Sequence, residues 1–510
     1  MLLSRYHKTF AHPHDPEALL LFSTRTTALV ILDHATYAAL ERGEAVEGSE
    51  GLLDCGLLVS DHRQEKEEVL NYLDEVNSLS SRLSAAVILG MRCNFACTYC
   101  YEGESKGAFD MDAPTARRLP DFLLEQCKPG YERIAIDFYG GEPLLYREQI
   151  KSIAGRMQEL CSTAGLAFDF ALVSNGSLLR PELVEELLPF GLVTVKITLD
   201  GPAATHDRCR PFKNGAPSFA AVLKNIKDCA GRLTINVGGN YTRESYPRFP
   251  ELLDELAAAG LGPKDINRLS FTPVIQPEQE QLAPLSFHGG CQSVSEPWLP
   301  EAAIFLRQQL LNYGWDPEGI TPTPCMVDRN NTFTIHYDGN IYQCPALIGQ
   351  QELVCGDIHT GIQDYSKQYQ VKNWQKHKKC QECLYLLLCF GGCRFMKYRK
   401  DLNMDIDCKK EFLDNTLEDF VRQDIQGTAQ YQERRIQGGQ LTATDDSPSR
   451  KPQQKLPTKR APDVGAVSTA NIPRGWLPDT EDTPTPISRI NPLPHTGRGE
   501  NKHGPDNGYI

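Results

Sequence analysis

Between Ala85 and Val274 the chain alternates strand-like and helix-like segments, and that alternation leaves few folds open. Apolar runs at 85–89, 134–138, 168–173, 193–199, 233–237 and 269–274 are separated by helical patterns near 115–126, 147–161, 181–188, 219–229 and 249–259. Six β/α units of this spacing predict a parallel sheet, either doubly wound or curved into an incomplete barrel. Function then collects at the carboxyl ends of the strands. The distinctive residues fall there: a cysteine loop after the first strand, Gly140-Gly141-Glu142-Pro143 after the second, Ser174-Asn175-Gly176 after the third and Asp200-Gly201-Pro202 after the fourth.

The loop holds Cys93, Cys97 and Cys100 at spacing C-x3-C-x2-C. Three thiolates this close can hold three irons of one cubane, whereas closed zinc sites and ferredoxin-type clusters take four ligands. The iron left open can bind a small molecule. Seventeen cysteines in a chain of 510 residues, gathered mostly in two clusters, read as reduced metal ligands rather than disulfides.

A formal charge of −13 argues against nonspecific nucleic-acid or anionic-membrane binding, and no apolar run has the length of a membrane span. No signal-peptide pattern opens the chain, so a cytoplasmic protein is expected, with no nucleic acid or membrane partner. Residues 1–80 read as a small α+β unit. Its short strands lie near 18–22 and 28–32, with helices near 35–42 and 64–79, a mix that suits a winged-helix-like peptide-docking module and equally a structural cap. Residues 276–319 read as a linker with one helix near 301–312. Thr332–Tyr342 alternates about Asp338-Gly339, a hairpin signal. Beyond Gly427 the Pro, Gly, Ser and Thr content predicts a disordered tail, 428–510.

Over roughly residues 80–275 the chain resembles the radical S-adenosylmethionine (SAM) superfamily, on Cys93, Cys97, Tyr99 and Cys100 together with the motifs on the next three strand ends. The resemblance implies a partial (β/α)6 TIM-type barrel at 81–275. It also implies SAM chelated to the open iron and cleaved to a 5′-deoxyadenosyl radical, with Gly140, Gly141 and Glu142 near the SAM amino group. Ser174 and Asn175 would lie near its methionine and ribose, and Tyr99 beside the last cysteine. Asp200-Gly201-Pro202 with His206, Asp207 and Arg210 resembles a segment of the peptide-modifying branch and is read as loop structure. Cys55, Cys127, Cys161, Cys209 and Cys229 are read as small buried hydrophobes.

Residues 320–415 resemble the SPASM auxiliary-cluster module, on Cys325, Gly339, Cys344, Cys380, Cys383, Cys389, Cys393 and Cys408. By that resemblance Cys380, Cys383, Cys389 and Cys408 hold one auxiliary [4Fe–4S] cluster. Cys325, Cys344 and Cys393 hold a second through three irons, whose fourth iron is open or substrate-ligated, with Cys355 a nearby candidate ligand and Cys291 a distant one. That makes three [4Fe–4S] clusters. A zinc site at Cys380, Cys383, Cys389 and Cys393 is the alternative.

Three functions follow. The chain resembles geopeptide-type and thioether-forming maturases, which implies modification of a ribosomally made precursor peptide with electrons from a donor such as flavodoxin or ferredoxin. The alternative is an anaerobic sulfatase maturase, whose pattern places an Asp after the second SPASM cysteine, where this chain has Pro345. The third is a non-catalytic iron–sulfur relay or scaffold. No catalytic residue is assigned beyond the cluster.

Overall fold

A computed structural model of the chain describes residues 1–100, 107–275 and 294–437 apart from 318 and 323. Five strands belong to the N-terminal unit. β1 (Leu2–Leu3) pairs with β5 (Leu58–Val59), and β2 (His7–Ala11), β3 (Ala18–Ser23) and β4 (Leu29–Asp33) form an antiparallel sheet. β3 is buried along its whole length. One side of this sheet packs Leu19, Leu21, Val30 and Leu32 on the unit's own helices; the other packs Phe10, Leu20, Phe22 and Leu29 on Tyr385 and on Leu413, Leu417 and Val421 of helix Lys410–Gln437.

The barrel strands are β6 (Arg82–Ile88), β7 (Arg133–Tyr139), β8 (Ala167–Ser174), β9 (Leu192–Thr198), β10 (Thr234–Tyr241) and β11 (Arg268–Pro273). They lie side by side in chain order and parallel, so no topological switch point divides them; the sheet is of barrel type, not doubly wound. Helices Ala113–Glu125, Arg147–Ala164, Pro181–Leu187, Phe219–Cys229 and Phe249–Ala258 connect them, close to the sequence expectation.

Strand alternation explains what each face buries. In β7, Ile134, Ile136 and Phe138 enter the apolar core, while Asp137 and Tyr139 face the barrel interior. In β9, Val195 and Ile197 enter the core while Thr194 and Lys196 face inward.

The expected hairpin is β12 (Thr332–Ile335) and β13 (Asn340–Tyr342), and it does not stand apart from the barrel. β12 pairs in parallel with β6, from Thr332↔Ser84 to Ile335↔Val87. β14 (Gly356–Asp357) and β15 (Gly361–Ile362) complete a mixed sheet of ten strands. Helix Leu299–Asn312 packs along helix Lys410–Gln437, with Arg307 paired to Asp424 in the buried contact. That last helix runs past residue 428, where an unstructured tail was expected; 438–510 and Cys291 lie outside the described residues. No described helix is long and apolar enough to cross a membrane.

Candidate functional site

The cysteine loop leaves β6 and is clamped from two sides. Beneath it, Gly140 adopts φ 119°, and a Cβ there would stand 2.7 Å from the Gly90 carbonyl; a Cβ on Gly141 would collide with the Arg92 carbonyl. The glycines thus admit the cysteine loop's own backbone, and Gly141 N donates to Gly90 O (3.2 Å) and Glu142 N to Arg92 O (2.8 Å). On the other side, residues 209–213 run beside the loop. Ala96 N donates to Pro211 O (2.9 Å), Thr98 N to Cys209 O (3.0 Å) and Lys213 N to Asn94 O (3.0 Å). Phe95, fully buried, packs edge-on to Phe212.

Glu142 is fully buried and fastens the third strand end to the second. Its carboxylate accepts from Ser174 Oγ (2.8 Å), Asn175 N (2.8 Å) and Leu144 N (3.1 Å). Burial pushes its carboxyl upward while those three donors oppose the rise. Asn175 Nδ2 in turn donates to Asn94 Oδ1 (2.8 Å) and reaches Cys93 Sγ (3.9 Å). Gly140, Gly141, Glu142, Ser174 and Asn175 therefore form one connected wall around Cys93.

Tyr99 joins a second wall. Its hydroxyl donates to Asp200 and accepts from Arg210 Nη1 (2.7 Å) and Asn240 Nδ2 (3.0 Å); Asn240 N donates to Asp200 Oδ1 (2.7 Å). Burial raises the Tyr99 and Asp200 pKa values. It also opposes the charge on Arg210, but Cys97, Tyr99 and Asp200 around the guanidinium outweigh it and hold Arg210 charged. The segment read as loop structure thus reaches the cysteine loop through Asp200 and Arg210. Asn240 carried no sequence signal beyond its place near the end of β10.

The downstream cysteines form two groups. Cys325, Cys344 and Cys393 are mutual neighbours; burial first, then Asp328 and Cys393 against Arg394, pushes the Cys325 thiol up to about 11, and Cys344 is raised by burial and by both partners. Arg394, beside Cys393, is buried against Asp328 at 2.9 Å. Cys355 stands apart from this trio in its bonding, its thiol donating to Ile341 O (3.2 Å). Cys380, Cys383, Cys389 and Cys408 line one cavity together with Lys379, Tyr385 and Lys410. The backbone that carries this set needs its glycines: Gly392 sits at φ 78°, and a Cβ there would collide with the Asp407 carbonyl just before Cys408. The four thiols stand around a space, an arrangement that fits a multi-iron cluster. Among the described residues no three His, Cys, Asp or Glu side chains converge as a single ion requires. All described cysteines are free; Cys55, Cys161, Cys209 and Cys229 are buried and Cys127 is half-buried.

Residues 87–244 match the family model for the Radical SAM superfamily. The chain is 22% identical over 334 residues to the serine-type anaerobic sulfatase-maturating enzyme of Klebsiella aerogenes, covering 60% of this chain and 78% of that one. It is 26% identical over 215 residues to the sporulation killing factor maturation protein SkfB of Bacillus subtilis, covering 42% of this chain and 45% of SkfB. Among solved structures, native anSMEcpe with bound AdoMet and Kp18Cys peptide shares the fold, with a TM-score of 0.53 and 18% identity over 67% of this chain and 98% of that one.

Proposed function

Because the chain carries a radical SAM domain over residues 87–244, we propose that it modifies a ribosomally made precursor peptide by hydrogen abstraction, forming a thioether or another crosslink. The supporting observation is the pairing of β12 with β6. It sets Cys325 and Cys344, which flank the β12–β13 hairpin, at the amino end of β6, the strand whose carboxyl end leads into Cys93, Cys97 and Cys100, and the barrel interior is walled by Met326 and Pro345 next to them. A substrate in that interior would meet both cysteine sets.

In this reading Cys93, Cys97 and Cys100 hold the SAM-binding [4Fe–4S] cluster, where bound SAM supplies a 5′-deoxyadenosyl radical. Gly140, Gly141, Glu142, Ser174, Asn175 and Tyr99 surround SAM. Cys380, Cys383, Cys389 and Cys408 hold one auxiliary cluster, and Cys325, Cys344 and Cys393 hold another with an open iron. An external donor of the flavodoxin or ferredoxin type supplies electrons, the setting is the cytoplasm, and residues 1–80 dock the precursor.

Anaerobically reconstituted protein given SAM and dithionite should release 5′-deoxyadenosine; none released from protein with an intact cluster would leave the non-catalytic reading. Co-expression with any short cysteine-bearing peptide encoded beside its gene should give a product two hydrogens lighter per crosslink. The similarity to a sulfatase-maturating enzyme favours a second reading, formylglycine formation on a protein Cys or Ser. Pro345, opening the turn Pro345–Leu347, counts against it, since no carboxylate follows Cys344.

A further inference from the structure

The barrel interior carries a polar pair that neither cysteine set uses. Asp137 and Tyr139 of β7, Thr194 and Lys196 of β9 and Asn236 of β10 line one cavity whose far wall includes Met326 and Pro345. β8 separates Asp137 from Lys196 with only Ala171 and Val173, which pair with them in register. On the other flank Gly238 leaves room for the lysine stem, since a Cβ there would lie 3.4 Å from Lys196 Cε. The Lys196 side chain therefore extends along a space open to a substrate.

The charges around this amine oppose its protonation. Burial, reinforced by Arg268 of β11 and opposed by Asp137, pulls Lys196 down to about 8. Burial lifts Asp137 to about 6, against Arg82 and Lys196 and reinforced by Asp169. Asp169 is itself paired with Arg133. The remaining inward neighbours, Tyr139, Thr194, Asn236 and Ser84, bring no opposing charge at neutral pH.

We propose that Lys196 is the proton acceptor for a substrate thiol, turning a peptide cysteine that enters the barrel into a thiolate beside Cys325 and Cys344. The inference rests on the peptide-modifying reading. In the step the thiol S–H bond breaks and an N–H bond forms on Nζ, leaving thiolate and ammonium, with Asp137 placed to stabilise the ammonium. An ordinary thiol titrates near about 8.5, so an amine lowered into the same range is matched to it, whereas an ordinary lysine near about 10.4 is already protonated at neutral pH. The chain has no carboxylate after Cys344 to accept that proton.

Competitive acetylation of the whole reconstituted protein between about pH 6 and 11, read by peptide mass spectrometry, measures the lysine directly. Lys196 should titrate well below exposed Lys224, and Asp137→Asn should move it lower still. With a gene-adjacent cysteine peptide, Lys196→Met and Lys196→Arg should both lose about 10²-fold or more of product while SAM cleavage persists, because arginine keeps the charge but releases no proton. Retained SAM cleavage also reports that the variants fold. Lys196 titrating with Lys224, or Lys196→Arg matching the parent, overturns the inference with the peptide reading intact. A parent enzyme that cleaves SAM yet leaves the peptide unchanged overturns the peptide reading, and the thiol role falls with it.

Discussion

The two three-cysteine sets of this chain hold a neighbouring buried cation in different ways. Around Cys93, Cys97 and Cys100 the cation Arg210 is shared among Cys97, Tyr99 and Asp200, at 3.8 Å from the carboxylate. Around Cys325, Cys344 and Cys393 the cation Arg394 is closely matched by Asp328, both almost fully buried. The first arrangement ties its cation to the cysteine loop through Cys97 and Tyr99. The second balances its charge locally, and its thiols are raised chiefly by burial. A shared ligand pattern therefore need not mean a shared role, because the cation of the first set bonds to the cysteine loop itself, at Tyr99, whereas that of the second is held by a carboxylate outside the trio.

The largest effect should separate the two sets outright. Cys97→Ala should abolish release of 5′-deoxyadenosine, whereas Cys344→Ala or Cys408→Ala should spare much of it while blocking the peptide product. Chromatography of the nucleoside and mass spectrometry of the peptide read the two losses independently. Equal loss of cleavage in all three variants would erase the distinction.

Next comes Asp328→Asn. It removes the charged partner of buried Arg394 while leaving an amide oxygen for Lys372 N, so an uncompensated charge stays in the interior. Breaking a buried pair from one side costs about 3–5 kcal/mol, measurable as a lower midpoint in denaturant. Adding Arg394→Met should restore part of that loss, since the double variant leaves no lone charge. A single variant as stable as the parent would mean that the charge is not sealed after all.

Tyr99→Phe should act more gently on the first set. It strips one hydroxyl from three partners, Asp200, Arg210 and Asn240, at a half-buried position where an unmade hydrogen bond costs about 1–3 kcal/mol. Iron should be retained less well at Cys93–Cys100 and normally at the downstream sites. Iron content and the SAM-responsive EPR signal of the variant, compared with the parent, locate the effect; equal iron loss at every site would detach Tyr99 from the first set.

Much of this arrangement was legible in the sequence, and the rest was hidden by separation along the chain. The six strands and their helices were readable because periodicity is local, and the strand-end motifs fell where barrel chemistry is found. The Tyr99 contacts were not readable, since they join residues 101, 111 and 141 positions apart. Pairing of β12 with β6 was hidden for the same reason. Lys196 and its strand do carry a local signal: Val193-Thr194-Val195-Lys196-Ile197-Thr198 alternates polar and apolar residues, which marks a polar face inside the barrel. Helix Lys410–Gln437 likewise shows Leu413, Leu417 and Val421 at a spacing of four, the face that packs on the N-terminal sheet.

The smallest effect should appear only in acid, and it tests whether the wall of the first set depends on a neutral scaffold. His206 is fully buried, and its hydrogen bonds define one tautomer. Nδ1 accepts from Asp200 N (3.2 Å), and Nε2 lies 3.1 Å from Ser218 Oγ, whose own proton goes to Arg210 O (2.6 Å), so Nε2 carries the hydrogen. Protonating Nδ1 would aim a proton at the Asp200 amide. Burial, with Arg210 adding to it, pulls His206 down to about 3 from 6.5. The unfolded chain therefore binds the extra proton first, so this contribution is complete above 6.5 and is lost as pH falls toward 3. At about pH 5.5 the loss is about 1.4 kcal/mol. His206→Gln should match the parent's pH slope above 6.5 and show a shallower decline below it in urea titrations. An unchanged acid limb would mean that His206 titrates normally and that the wall holding Asp200 and Arg210 tolerates charge.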